Sequence, residues 1–333
     1  VCKRIIDTSA GDTSTDRVAV IAKRLIKSCI PVSAAAIVVN LSSFIDLITI
    51  PRCLNFALSS DPRYFTACFS DIIKAQGGAV RLANFMYGSY TGLSWTMFML
   101  IPSFTAMFGR SALPQIAGAW TLGNRKEFER KVTVVLRSNF VIGFPLYLGL
   151  SAMSRQILEF LFSGRQQEVT VSATSLFILG LGGVFLTLSS TFISIFQVIG
   201  RSDLPVKLML PGCAVKLIFN VFTISVPAIN INGAAVSTVI MYAAVALGGY
   251  FALENVTGID FHIIRRMAVP LSAGIVCAFV SRIVYGFVGE SVNAVAALFL
   301  PIASGGAVYI ILLIIFNEIN IKYLLNRQKR KKF

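Results

Sequence analysis

Long apolar runs, repeated along almost the whole chain, limit what this sequence can fold into more than any other feature. A bilayer core about 30 Å thick needs roughly 20 mostly apolar residues per spanning helix. Runs of that kind recur at about 29–51, 86–108, 132–153, 169–199, 205–227, 232–252, 267–288 and 292–316. The expected fold is all-α: a polytopic membrane helix bundle with about eight transmembrane helices. Pro145 and Pro270 lie inside the third and seventh runs, where a membrane helix tolerates them if neighbouring helices cover the freed carbonyl. Between the runs, the stretches within 57–85 and at 154–162 read as short amphipathic pieces at the interface.

Composition agrees and removes several alternatives. The 333 residues are 56% hydrophobic and only 14% charged, with a mean hydropathy of +0.76; a soluble chain carries about a quarter charged residues. A net charge of +15 would by itself suggest nucleic acid, but so apolar a chain cannot present a polar groove, and no nucleic-acid partner is expected. The six cysteines are scattered without a C-x-x-C pair, and His262 is the one histidine, so neither a metal nor a cofactor is expected. An enzyme is not expected either. The close acidic pair Glu127 and Glu129 sits in a basic loop, where solvated charge is the default. The polar N-terminal segment is not a signal peptide, and the initial Val1 fits either a GTG start or a truncation.

The basic residues report orientation, because they favour the cytoplasmic side of the flanking loops. They crowd into alternate segments: Lys3 to Lys27 before the first run, Arg110 to Lys131 after the second, Arg201 and Lys207, Arg265 and Arg266, and Lys322 to Lys332 at the end. The opposite segments hold only Arg52, Arg63, Lys74, Arg81, Arg155 and Arg165. Both termini are therefore expected in the cytoplasm.

Ionisable groups at membrane depth are costly and usually face a bundle interior or a hydrated cavity. Asp46, Arg137, Lys216 and Arg282 fall inside the runs, with Arg52 just past the first. Lys216 is too deep to snorkel easily and shares a helical face with Asn220 and Thr223. Thr187, Ser190, Ser194 and Gln197 form a stripe in the fourth run, Asn40, Ser43 and Asp46 one in the first, and Tyr87, Thr91 and Ser94 one in the second. Such stripes also arise from hydroxyls bonding to their own helix. The surplus of cations suits an anionic group on an amphipathic cargo, since arginine and lysine are the usual phosphate binders. Arg52, Arg137, Lys216, Asn220 and Gln197 are the candidate cargo contacts. Asp46 is the candidate for tuning them or binding a coupling cation.

Several stretches together resemble a known family. NLSSFIDLITIPRCL, YGSYTGLSWTMFMLIPSFTAMFGRSALPQIAGAW, VLRSNFVIGFPLYLGL, FQVIGRSDLP and VKLIFNVFTISVPAININGAAVSTVIMY, in that order, look like the C-terminal part of the polysaccharide transport and stage V sporulation protein B group of flippases. That group belongs to the multidrug/oligosaccharidyl-lipid/polysaccharide exporter superfamily, which includes the lipid II flippases. The resemblance spans about residues 20–255 and implies alternating access between two lobes in the bacterial plasma membrane. It implies a cytoplasmic inter-lobe linker at 1–28, a six-helix C-terminal lobe at 29–252, two additional transmembrane helices at 253–316 and a basic cytoplasmic tail at 317–333. The implied cargo is an undecaprenyl-linked sugar or lipid II-like peptidoglycan precursor, and the implied partners are membrane lipid and a missing N-terminal lobe. Cys53 stands where the family usually has a second basic residue after Arg52. A cation-coupled multidrug exporter of the same superfamily and a non-transporting membrane scaffold are the rival expectations.

Overall fold

In the computed structural model, which describes residues 18–78, 81–110, 112–288 and 293–316, every expected run is helical. The linker residues 1–17 and the basic tail 317–333 lie outside the described residues. Helix α1 (Val18–Ser60) has 43 residues and so extends about 65 Å at 1.5 Å per residue. Among the described residues, its Asn40–Ser60 part is long and apolar enough to cross a bilayer. The segment before that part continues the same helix, so the assigned linker is helical from Val18 onward.

Six other helices are long and apolar enough to span singly: α6 (Arg125–Ala152), α8 (Gln166–Val198), α9 (Asp203–Ile224), α10 (Asn232–Thr257), α11 (Ile263–Val288) and α12 (Ala294–Ile315). The second expected span is a composite of α3 (Leu82–Ser89), a π-helical turn at Tyr90–Trp95 and α4 (Thr96–Arg110). A π turn adds a residue to the helical repeat and rotates everything after it. The turn sits against α8, where the hydroxyl of Ser94 donates to the carbonyl of Ser172 (2.8 Å) and that of Ser172 donates to the carbonyl of Ser89 (2.9 Å). Those bonds hold the two backbones together where the α-helical ladder is interrupted.

The short elements lie between the long helices. Helix α2 (Pro62–Gln76) starts at Asp61, whose side chain accepts from the Tyr64 amide at 3.1 Å, with Pro62 in the first helical turn. Its buried side chains are Phe65 and Ile72. Helix α7 (Ser154–Leu161) follows α6 directly and buries Leu158. Helix α5 (Leu113–Thr121) covers the other end of α6, which Asn124 caps through the Glu127 amide.

Helix α8 lies at the centre, flanked by α6 and α10. Lipid is as apolar as leucine, so close van der Waals packing at small residues, rather than release of water, joins these helices. Gly180, Gly182 and Gly183 provide the contacts. A Cβ on Gly180 would lie 2.7 Å from that of Ser151 on α6, and Gly182 and Gly183 face Val239 and Tyr147 too closely for any side chain. Outward from this core, α9 packs on α10 and α1 on α9, while α11 packs on α6 and α12 on α11.

Candidate functional site

The helix repeat puts Ser42, Asp46 and Thr49 on one face of α1, at i, i+4 and i+7. It puts Lys216 and Asn220 on one face of α9 in the same way. The two faces meet. Lys216 Nζ lies 2.6 Å from Asp46 Oδ2, donates to Ser42 Oγ at 2.9 Å and stands 5.6 Å from the centre of the Trp95 ring. Asn220 donates from Nδ2 to Asp46 Oδ1 (3.1 Å) and to Thr49 Oγ1 (3.0 Å). Its Oδ1 accepts from the Ser237 hydroxyl on α10. Lys216 and Asn220 are fully buried and Asp46 is 5% exposed.

The cluster is therefore neutral, saturated with hydrogen bonds and spread over α1, α9, α10 and the π turn that carries Trp95. Removing two charges from water costs several kcal/mol per ion, repaid only when geometry is good and every remaining donor and acceptor is satisfied. Both conditions are met at this site. Lys216 does not face an open cavity in this conformation. Its charge is cancelled by Asp46.

The remaining expected site residues are elsewhere. Arg52 is exposed on α1, Gln197 is exposed at the last turn of α8, and Arg137 is half-buried on α6. Only Asp46, Lys216 and Asn220 come together. Most of the hydroxyl stripes bond to their own helices: Ser190 to the Thr187 carbonyl, Ser194 to that of Ser190, and Thr91 to that of Tyr87. Ser42, Thr49, Ser237 and Trp95 were not anticipated. A search for i, i+4, i+7 spacing around Asp46, in place of the i, i+3, i+6 series Asn40, Ser43 and Asp46, finds the first two. Ser237 and Trp95 depend on tertiary packing and carry no local signal. Among the described residues, no three metal-ligating side chains gather.

Comparison with known proteins gives this architecture a context. The family model described as lipid II flippase MurJ matches residues 79–304. A lipid II flippase MurJ of Bacillus subtilis is 23% identical over 221 residues, covering 64% of this chain and 40% of that protein. An uncharacterized membrane protein of Methanocaldococcus jannaschii is 28% identical over 153 residues, covering 46% of this chain and 29% of its own length. The chain thus spans less than half the length of these curated relatives. A solved structure of a lipid II flippase MurJ in an inward closed conformation superposes with a TM-score of 0.56 at 19% identity, covering 71% of this chain and 50% of that one. The likeness is one of fold.

Proposed function

This chain belongs to the lipid II flippase MurJ family, and from that premise we propose that it moves a lipid-linked cell-wall precursor across the bacterial plasma membrane. The family match over residues 79–304 carries the reading. The cargo on this reading is an undecaprenyl-linked peptidoglycan precursor, or a related polysaccharide precursor of the kind the resemblance to the sporulation group implies. Its prenyl tail stays in lipid while its pyrophosphate and sugars cross through a hydrated path. Both termini face the cytoplasm.

Alternating access requires a second wall against which this bundle can rock. The relatives' greater length supports a second lobe in that role. The faces of α1 and α9 that point away from the bundle are apolar and exposed, with Phe44, Leu47 and Ile48 on the first and Ile218, Val221 and Phe222 on the second. The Asp46–Lys216 cluster joins these two helices, so any motion of α1 against α9 changes it. In the closed arrangement the pair is sealed and neutral. Once the helices part, an ammonium and a carboxylate enter the path, and Lys216 can pair with the pyrophosphate in place of Asp46. Arg52 and Arg137 would take the anion at other stages. A conformational change of this kind shifts only as far as the cargo's preference for one state allows, and exchange of one anionic partner for another provides that preference.

The test is complementation of a strain depleted of its own flippase, with the externally exposed precursor measured by an impermeant enzyme that cleaves it. Restored exposure in the presence of the full-length gene supports the function. Restored export of a sugar-polymer precursor alone would assign the polysaccharide branch, and restored drug resistance without precursor exposure would favour the exporter alternative.

A further inference from the structure

Helices α8 and α11 each pack along α6 but not along one another, which leaves a groove between them with α6 as its floor. The groove encloses a cavity of about 570 Å³, within the range of roughly 300–1,000 Å³ that accepts small organic ligands. Its walls are apolar side chains left exposed, Phe177 and Leu181 on α8 and Ile275 and Phe279 on α11, with Leu148 on the floor. Two arginines line the same cavity. Arg282 lies six residues before the end of α11, and Arg155 is the second residue of α7, which follows α6. Thr170, Thr174 and Ser154 add hydroxyls beside them.

From this arrangement we infer that the groove is a binding site for an anionic glycerophospholipid of the external leaflet. The phosphate sits between Arg155 and Arg282 and an acyl chain lies along Phe177, Leu181 and Phe279. Charge complementarity selects the occupant. Arg155 is partly satisfied by Glu159 at 2.8 Å, while no described acidic side chain pairs with Arg282, which is exposed at membrane depth. A guanidinium there with no acidic partner among the described residues draws a phosphate, to which its planar fork of donors is matched. The charge asymmetry of the loops puts this end of the bundle on the external side. The floor separates the groove from the interior, because the close approach of Gly180 to Ser151 and the Ser151 hydroxyl bond to the Phe177 carbonyl (2.8 Å) join α6 to α8 without a gap. The occupant is thus a resident lipid, apart from any cargo path along α1 and α9, and the inference does not depend on the proposed transport.

Native mass spectrometry of the full chain, released from nanodiscs of phosphatidylglycerol and phosphatidylcholine, reads this directly. The expected result is retained phosphatidylglycerol in preference to phosphatidylcholine, lowered about tenfold by Arg155→Gln with Arg282→Gln, the scale of one lost charge-assisted contact. Leu181→Trp, which fills the groove and leaves both arginines in place, lowers retention of both lipids, so the result does not rest on the arginine variants folding. Unchanged phosphatidylglycerol retention in the double arginine variant, or in Leu181→Trp, overturns the inference. So does displacement of phosphatidylglycerol by an equal amount of undecaprenyl phosphate, which would make the groove a carrier site.

Discussion

Asp46 on α1 and Lys216 on α9, 170 residues apart in sequence, meet at 2.6 Å inside the bundle. With Asn220, Ser42, Thr49 and Ser237 they form the one described cluster that ties the first helix to the ninth and tenth through charge as well as packing. Breaking such a pair costs more than omitting it, because one buried charge is left uncompensated.

Lys216→Met should therefore lower stability by about 3–5 kcal/mol. Lys216→Met combined with Asp46→Leu should recover most of that loss, since two apolar residues of similar volume leave no stranded charge. Thermal unfolding in detergent of the two single variants and the double variant checks this. Strict additivity of the single effects would deny the coupling.

The glycine contacts on α8 make a second prediction. Gly183→Ala drives a methyl group into Tyr147 and should cost about 1–3 kcal/mol, as overpacking does. Gly149→Ala on α6 meets no atom within 4 Å and should stay within about 0.5 kcal/mol of the parent. Melting temperatures measured side by side separate these outcomes.

Cys68 is exposed on α2, whereas Cys213 and Cys277 are buried. If the basic loops are cytoplasmic, α2 is external; a membrane-impermeant maleimide should then label intact cells at Cys68, and Cys68→Ser should lower that signal. Labelling of Cys68 only after permeabilisation would invert the orientation deduced from the basic loops.

Between α10 and α11, Asp260 accepts from the His262 amide at 2.8 Å and lies 2.6 Å from its ring nitrogen. The amide bond, with the imidazole beside it, holds its carboxyl below the usual range. A depressed folded-state value stabilises above the ordinary carboxylate pKa near 3.9, and that contribution disappears as pH falls through the lower folded value. Asp260→Asn should thus weaken this loop slightly at neutral pH and have no effect in strong acid, as hydrogen exchange of the 258–263 amides would report.

Most of the bundle was legible in the sequence because a spanning helix needs a long apolar run, and seven of the eight runs gave a single helix of that kind. The second span hid its structure. Nothing in YTGLSW announces a π turn, which coincides with the bond between Ser94 and Ser172 across helices. At the site, the unusual depth of Lys216 and Asp46 marked them correctly as interior. Their partnership did not follow, since pairing across 170 residues depends on how α1 settles on α9. Arg52 and Gln197 carried the same kind of signal and fall on exposed faces, because charge near a helix end can reach water or headgroups at little cost. The hydroxyls of the α8 stripe bond to the preceding turn, as serine and threonine in a membrane helix readily do.

The most direct test of the account is precursor exposure at the external surface, measured in a full-length context for Asp46→Asn, Lys216→Ala and the charge swap Asp46→Lys with Lys216→Asp. The account predicts that each single variant inserts in the membrane but loses translocation, and that the swap regains part of it by restoring the pair between α1 and α9. Full translocation by Lys216→Ala, in protein inserted at the normal level, would contradict it.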